Sequence, residues 1–133
     1  MKNGSIVNNI ALNGNGGAIY LDGGDANVSG GTIEANQSIN GGGAYLAGGT
    51  LNVTGGSFKS NIATNNGGGA FVNSGNIEMS GGSFDGNKAI ENGGGVYLAG
   101  GTLNVFDGNI SNNEAKNGAG AYLAGGALNI SDG

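Results

Sequence analysis

The sequence predicts an all-β fold, a right-handed parallel β-helix of about five coils with three short strands per coil. Three observations carry this expectation. A Gly-rich corner leading into a short apolar strand recurs as Gly17-Ala18-Ile19-Tyr20, Gly43-Ala44-Tyr45-Leu46, Gly69-Ala70-Phe71-Val72, Gly95-Val96-Tyr97-Leu98 and Gly120-Ala121-Tyr122-Leu123. The recurrence has a period of about 26 residues, the mark of stacked units that bury their apolar faces only against one another. Finally, no stretch has apolar residues at helical spacing, and 33 glycines in 133 residues would each weaken a helix by about 1 kcal/mol relative to alanine.

The elements follow in order within each unit. The Ala-aromatic segment is the first strand. A second strand follows as Asn27-Val28, Leu51-Asn52-Val53, Ile77-Glu78-Met79, Leu103-Asn104-Val105 and Leu128-Asn129-Ile130, whose alternation of apolar and polar residues marks a half-buried strand. A third begins at Ile6, Ile33, Phe58, Phe84 and Ile110, each followed three residues later by asparagine. Asn-Gly pairs at Asn15, Asn40, Asn66, Asn92 and Asn117 separate the units. Asn-Gly between strands usually signals a hairpin. Here identical strands recur at a fixed period, so each is expected to pair in parallel with its copy one coil away, the Asn-Gly pair serving as a sharp corner. Strand twist and the crossover rule set the right-handed expectation. Coil length is expected to vary by one residue, with an extra position near Asp22 to Asp25 and a deletion near Gly118. Residues 1–133 read as one solenoid domain, a segment of a longer array.

Composition narrows the function. The net charge is −5, the four basic residues are all lysine, and no basic cluster exists to neutralise phosphates, so nucleic acid is not an expected partner. No apolar run approaches the length of a membrane span, and membrane insertion is not expected. Without cysteine or histidine there is no thiolate or imidazole metal site, and the carboxylates are scattered. Asp22 and Asp25 are the closest acidic pair, and they read as a solvated corner. No enzyme activity, catalytic residue, metal or cofactor is expected.

The pairing of Gly-Gly-Ala-aromatic with Phe/Ile-x-x-Asn resembles the repeat of the polymorphic outer-membrane protein family of autotransporters, and the Gly-rich parallel β-helix repeats of adhesin-like microbial surface proteins. Phe58 to Asn61 and Phe84 to Asn87 match the Phe-x-x-Asn motif strictly, while Ile6, Ile33 and Ile110 replace the phenylalanine. The resemblance covers all 133 residues. It implies an extracellular, cell-surface passenger or stalk that works by adhesion.

Two columns are singled out. Alternation along the first strand is expected to send Ile19, Tyr45, Phe71, Tyr97 and Tyr122 outward as a vertical stripe. Such a stripe either braces neighbouring coils by cross-strand pairing or forms a contact site for a host-surface protein or glycan. Asn9, Asn36, Asn61, Asn87 and Asn113 are expected to form a structural ladder along the axis. The function expected is a non-enzymatic structural or adhesive segment. A carbohydrate-binding module using the aromatic stripe and a head-to-tail filament subunit are the alternatives. The expected partners are copies of itself or adjoining repeats stacked end to end. Gly4 to Asn9 open the sequence inside a third strand and Leu128 to Gly133 close it just after a second, and open strands template further pairing.

Overall fold

The computed structural model describes residues 1–131; Asp132 and Gly133, in the expected open end, lie outside the described residues. Every described strand pair is parallel, and no described residue is helical. The backbone winds as a β-solenoid whose coils are 25 to 27 residues long. Equivalent strands stack into rails that run along the axis.

The first rail comprises the starts of β2 (Ile19–Glu34) and β4 (Ala44–Lys59), then β6 (Ala70–Val72), β9 (Val96–Leu98) and β11 (Ala121–Leu123). The second uses the middles of β2 and β4, then β7 (Asn76–Asp85), β10 (Thr102–Ser111) and β12 (Ala127–Ile130), with Asn27, Asn52, Glu78, Asn104 and Asn129 in register. The third joins β1 (Ser5–Val7) to the ends of β2, β4, β7 and β10, aligning Ile6, Ile33, Phe58, Phe84 and Ile110.

A smaller rung joins these three rails. After the ladder asparagine the backbone pairs again at β3 (Gln37–Ser38), β5 (Ile62–Ala63) and β8 (Lys88–Ala89), prolonged by single bridges from Ile10 to Gln37 and from Lys88 to Glu114. Two residues are too short to display an alternation, so this rung leaves no pattern to read.

The first coil departs from the expected register. Ile19 pairs with Ala44 and Tyr20 with Tyr45, so the first apolar strand sits one residue further along than the Gly-Ala alignment suggests. From that point the steps Tyr20 to Asn27, Tyr45 to Asn52, Phe71 to Glu78, Tyr97 to Asn104 and Tyr122 to Asn129 are equal, so the register shift at Asp22 to Asp25 is a local bulge that adds no net residue to the coil. All variation in coil length falls in one corner, between the ladder asparagine and the Asn-Gly pair: Asn9 to Asn15 is the longest such step and Asn36 to Asn40 and Asn113 to Asn117 the shortest. The shortening in the last coil lies just before Asn117, next to Gly118 as expected.

The core is a narrow column filled by every rail. Leu46, Leu51, Val53, Phe58, Val72, Ile77, Met79, Phe84, Val96, Leu98 and Leu103 are fully buried, each contributing about 1.5 to 3 kcal/mol. Phe58 and Phe84 stack inside it with ring centroids 4.5 Å apart. The corners are as tight as the core. A Cβ at Gly69 would stand 2.5 Å from the Gly95 carbonyl oxygen and 2.7 Å from Phe84 Cδ1, so only glycine lets the coil turn there.

Candidate functional site

The aromatic column on the first rail contains Tyr20, Tyr45, Phe71, Tyr97 and Tyr122. Ile19 does not head it, because the register places Ile19 beside Ala44 on the inward side, where it packs against the core. Tyr20 takes the top place. From Tyr20 downward, successive ring centroids are 5.3, 5.0, 4.7 and 5.3 Å apart, with planes inclined by 12°, 10°, 15° and 8°.

These spacings follow from strand separation: parallel neighbours lie about 4.8 Å apart, and in-register identical positions hold flat side chains at that repeat. Each interior ring therefore has both faces covered by its neighbours. Phe71, at the centre, is only 9% exposed although its strand position points outward, whereas Tyr20 is 56% exposed. What the column presents to solvent is ring edges and tyrosine hydroxyls. Burial raises the Tyr45 phenol above its ordinary value, and the neighbouring Tyr20 phenol adds to the rise.

The asparagine column is a continuous hydrogen-bonded ladder. Asn36, Asn61 and Asn87 are fully buried. Each of their Nδ2 groups donates twice. In Asn61 it donates to Asn87 Oδ1 at 3.0 Å and back to the Ile33 carbonyl oxygen at 2.9 Å. Its Oδ1 accepts from Asn36 Nδ2 at 3.0 Å and from the Asn36 backbone N–H at 3.1 Å. Asn9, Asn36 and Asn87 donate to the next coil in the same way, and Asn113 donates back to the Phe84 carbonyl at 3.0 Å. Among the described residues no buried side-chain nitrogen or oxygen lacks a partner.

The residue before each ladder asparagine is left-handed: Asn8, Ala35, Ser60, Gly86 and Asn112, with φ of 58°, 55°, 54°, 65° and 54°. That kink ends the third strand and turns the asparagine inward. Only Asn8, Gly86 and Asn112 are residue types that adopt this conformation readily, and they are the signal for it that the sequence holds.

Two further amide columns run outside the core. Corner residues Asn40, Asn92 and Asn117 donate from Nδ2 to Asn15, Asn66 and Asn92 at 3.1, 3.0 and 2.9 Å. On the second rail Asn52 donates to Asn27 and Asn129 to Asn104 at 2.8 Å, and Asn104 donates to Glu78 Oε1 at 2.8 Å. The corner column is legible in the sequence as a column of turns but not as a ladder, since an Asn-Gly turn alone specifies only backbone shape.

Three lysines each approach a carboxylate one coil away: Lys59 to Glu34 at 4.0 Å, Lys88 to Glu114 at 3.4 Å and Lys116 to Glu91 at 3.8 Å. Such exposed pairs are each worth about 0 to 1 kcal/mol. Among the described residues, no cavity forms and no three metal-type side chains gather. Among the same residues no helix is long and apolar enough to cross a membrane. Comparison of the sequence and structure with known protein families, with curated proteins and with solved structures finds no match.

Proposed function

We propose that this protein is a non-enzymatic structural and adhesive segment of a cell-surface protein, a rigid solenoid stalk. One observation carries the reading. The side chains that a binding module would offer outward are committed to one another along the axis, the aromatic faces in a stack and the outer asparagine amides in ladders. That arrangement suits a load-carrying rod better than a recognition pocket. A sparsely charged surface rich in Asn, Ser and Gly also suits broad, weak contact with another surface, and its charge pattern offers nothing to nucleic acid.

A carbohydrate module working through the same stripe has less support. Sugars dock on the open face of an aromatic ring, and at the exposed top of this column Tyr20 keeps one face clear of the stack while the interior rings keep none.

The test couples stability to attachment. Beads carrying the protein are applied to cell monolayers and to a glycan array, with the Tyr45→Ala/Tyr97→Ala variant alongside. The expected result is attachment to cells without selective glycan retention, and a Tm for the variant lowered by several degrees. Beads that adhere no better than uncoated ones defeat the adhesive reading. Selective glycan binding lost in a variant of unchanged Tm would instead establish the carbohydrate module.

A further inference from the structure

Seven Asn-Gly dipeptides occur in the sequence, beginning at Asn3, Asn13, Asn15, Asn40, Asn66, Asn92 and Asn117. In such a pair the glycine nitrogen can reach the carbonyl carbon of the asparagine amide, because no Cβ obstructs the backbone and glycine accepts the required torsions. Asparagine is accordingly among the thermolabile residues. Seven chemically equal dipeptides would age equally in an unfolded polypeptide.

The fold makes them unequal. Five belong to the corner column, and in four of them, at Asn15, Asn40, Asn66 and Asn92, the reacting groups are held. The amide of Asn40 is bonded to Asn15, and that of Asn92 to Asn66. The glycine nitrogens that would attack are engaged as well: Gly16, Gly41, Gly67 and Gly93 N–H donate to the asparagine carbonyl one coil on, at 3.0, 3.0, 2.9 and 3.0 Å. Reaction there requires at least two hydrogen bonds to open together.

Asn13 stands outside the column, in the longest of the variable corners. It is exposed, and its side chain makes no hydrogen bond with the described residues. The Gly14 N–H is engaged only in a 3.4 Å turn contact to the Ala11 carbonyl. Asn3 also lies outside the column and is exposed, near the start of the first coil. The informative comparison is therefore between Asn13 and Asn40, Asn66 and Asn92.

We propose that Asn13-Gly14 is a self-modification site of the folded protein, where the asparagine deamidates, while the corner ladder shields the same dipeptide at Asn15, Asn40, Asn66 and Asn92. The Gly14 nitrogen bonds to Asn13 Cγ, the Cγ–Nδ2 bond breaks, and the amide nitrogen leaves as ammonia carrying the Gly14 proton. Water then opens the five-membered imide at either carbonyl, giving aspartate or isoaspartate. The product adds one negative charge to a protein already at −5, in a corner whose length the solenoid does not fix. No ladder bond is lost, so the coil persists after the reaction.

Incubation of the folded protein in mildly alkaline buffer, followed by peptide mapping with mass and isoaspartate detection, tests this directly. Conversion at Asn13 is expected to exceed that at Asn40, Asn66 and Asn92 by more than about tenfold, the factor set by opening two hydrogen bonds. In guanidinium chloride the four rates should converge. Asn13→Gln should remove the Asn13 product while leaving the thermal transition in place. Equal rates in the folded protein would overturn the proposal. So would an Asn13 that reacts only after unfolding.

Discussion

Asn61 uses its whole side-chain hydrogen-bonding capacity in the interior: two amide hydrogens donated and one oxygen accepting twice, with no solvent involved. Truncation by Asn61→Ala removes those bonds and leaves the Asn36 backbone N–H and one Asn36 Nδ2 hydrogen buried without partners. The expected loss is about 3 kcal/mol or more, read from chemical denaturation. A loss below about 1 kcal/mol would mean that water or backbone movement replaces the ladder. Beside the ladder in the previous coil, Ala35 holds φ at 55° where the fourth coil uses Gly86. Left-handed alanine costs about 1 to 2 kcal/mol, and glycine gives back about 0.5 to 1 kcal/mol of that through the greater entropy of the unfolded state. Ala35→Gly should therefore stabilise by about 0.5 to 1 kcal/mol, and a lowered denaturation midpoint would contradict the strain assigned to this position.

The strands owe their facing to alternation, and substitution on the second rail checks it. Val53 is fully buried, while its neighbour Asn52 points outward to Asn27. Val53→Asp buries an unpaired charge and should disrupt the coil, whereas Asn52→Asp should lower Tm only slightly. Comparable Tm values would reverse the faces. On the first rail the Tyr45 phenol creates an alkaline limit. The Tyr45 pKa is higher in the folded state than its ordinary value, so folding favours the protonated ring. The stability tied to it is complete below about pH 10, the unfolded phenol value, and is lost as pH rises through the higher folded value. Tyr45→Phe should flatten the fall in Tm above that pH; an unchanged alkaline slope would assign the fall to other groups. Strand composition makes the three longer rails readable from sequence. The top of the aromatic column does not read correctly, and falls on Ile19, because the first coil lacks the Gly-Gly-Gly run that aligns Tyr45, Phe71 and Tyr97, leaving Ala18 as a false marker.

At the scale of the molecule, the period alone is enough to read a stacked solenoid, since only in-register copies bury the apolar positions it aligns. The ladder asparagines are legible from their fixed distance to Ile or Phe. The small fourth rung and the confinement of length changes to one corner are not, because two-residue strands and loops obey no residue preference strong enough to stand out. That corner predicts an asymmetry in tolerance. One glycine inserted after Thr64, between the Asn61 and Asn66 columns, should change Tm by only a few degrees. The same insertion after Ser74, between Phe71 and Glu78, shifts the second rail by one residue against its neighbours and should unfold the coil. Equal effects would show that the corner is as constrained as the rails. The backbone bonds between coils all run along the axis, from one turn to the next. Pulled from both ends, such a body does not stretch uniformly. The outermost turn carries the load first and peels off while those behind it stay wound, so extension proceeds in steps of about 26 residues, or roughly 90 Å of released backbone. Mechanically the protein is a reel whose unit of failure is one turn.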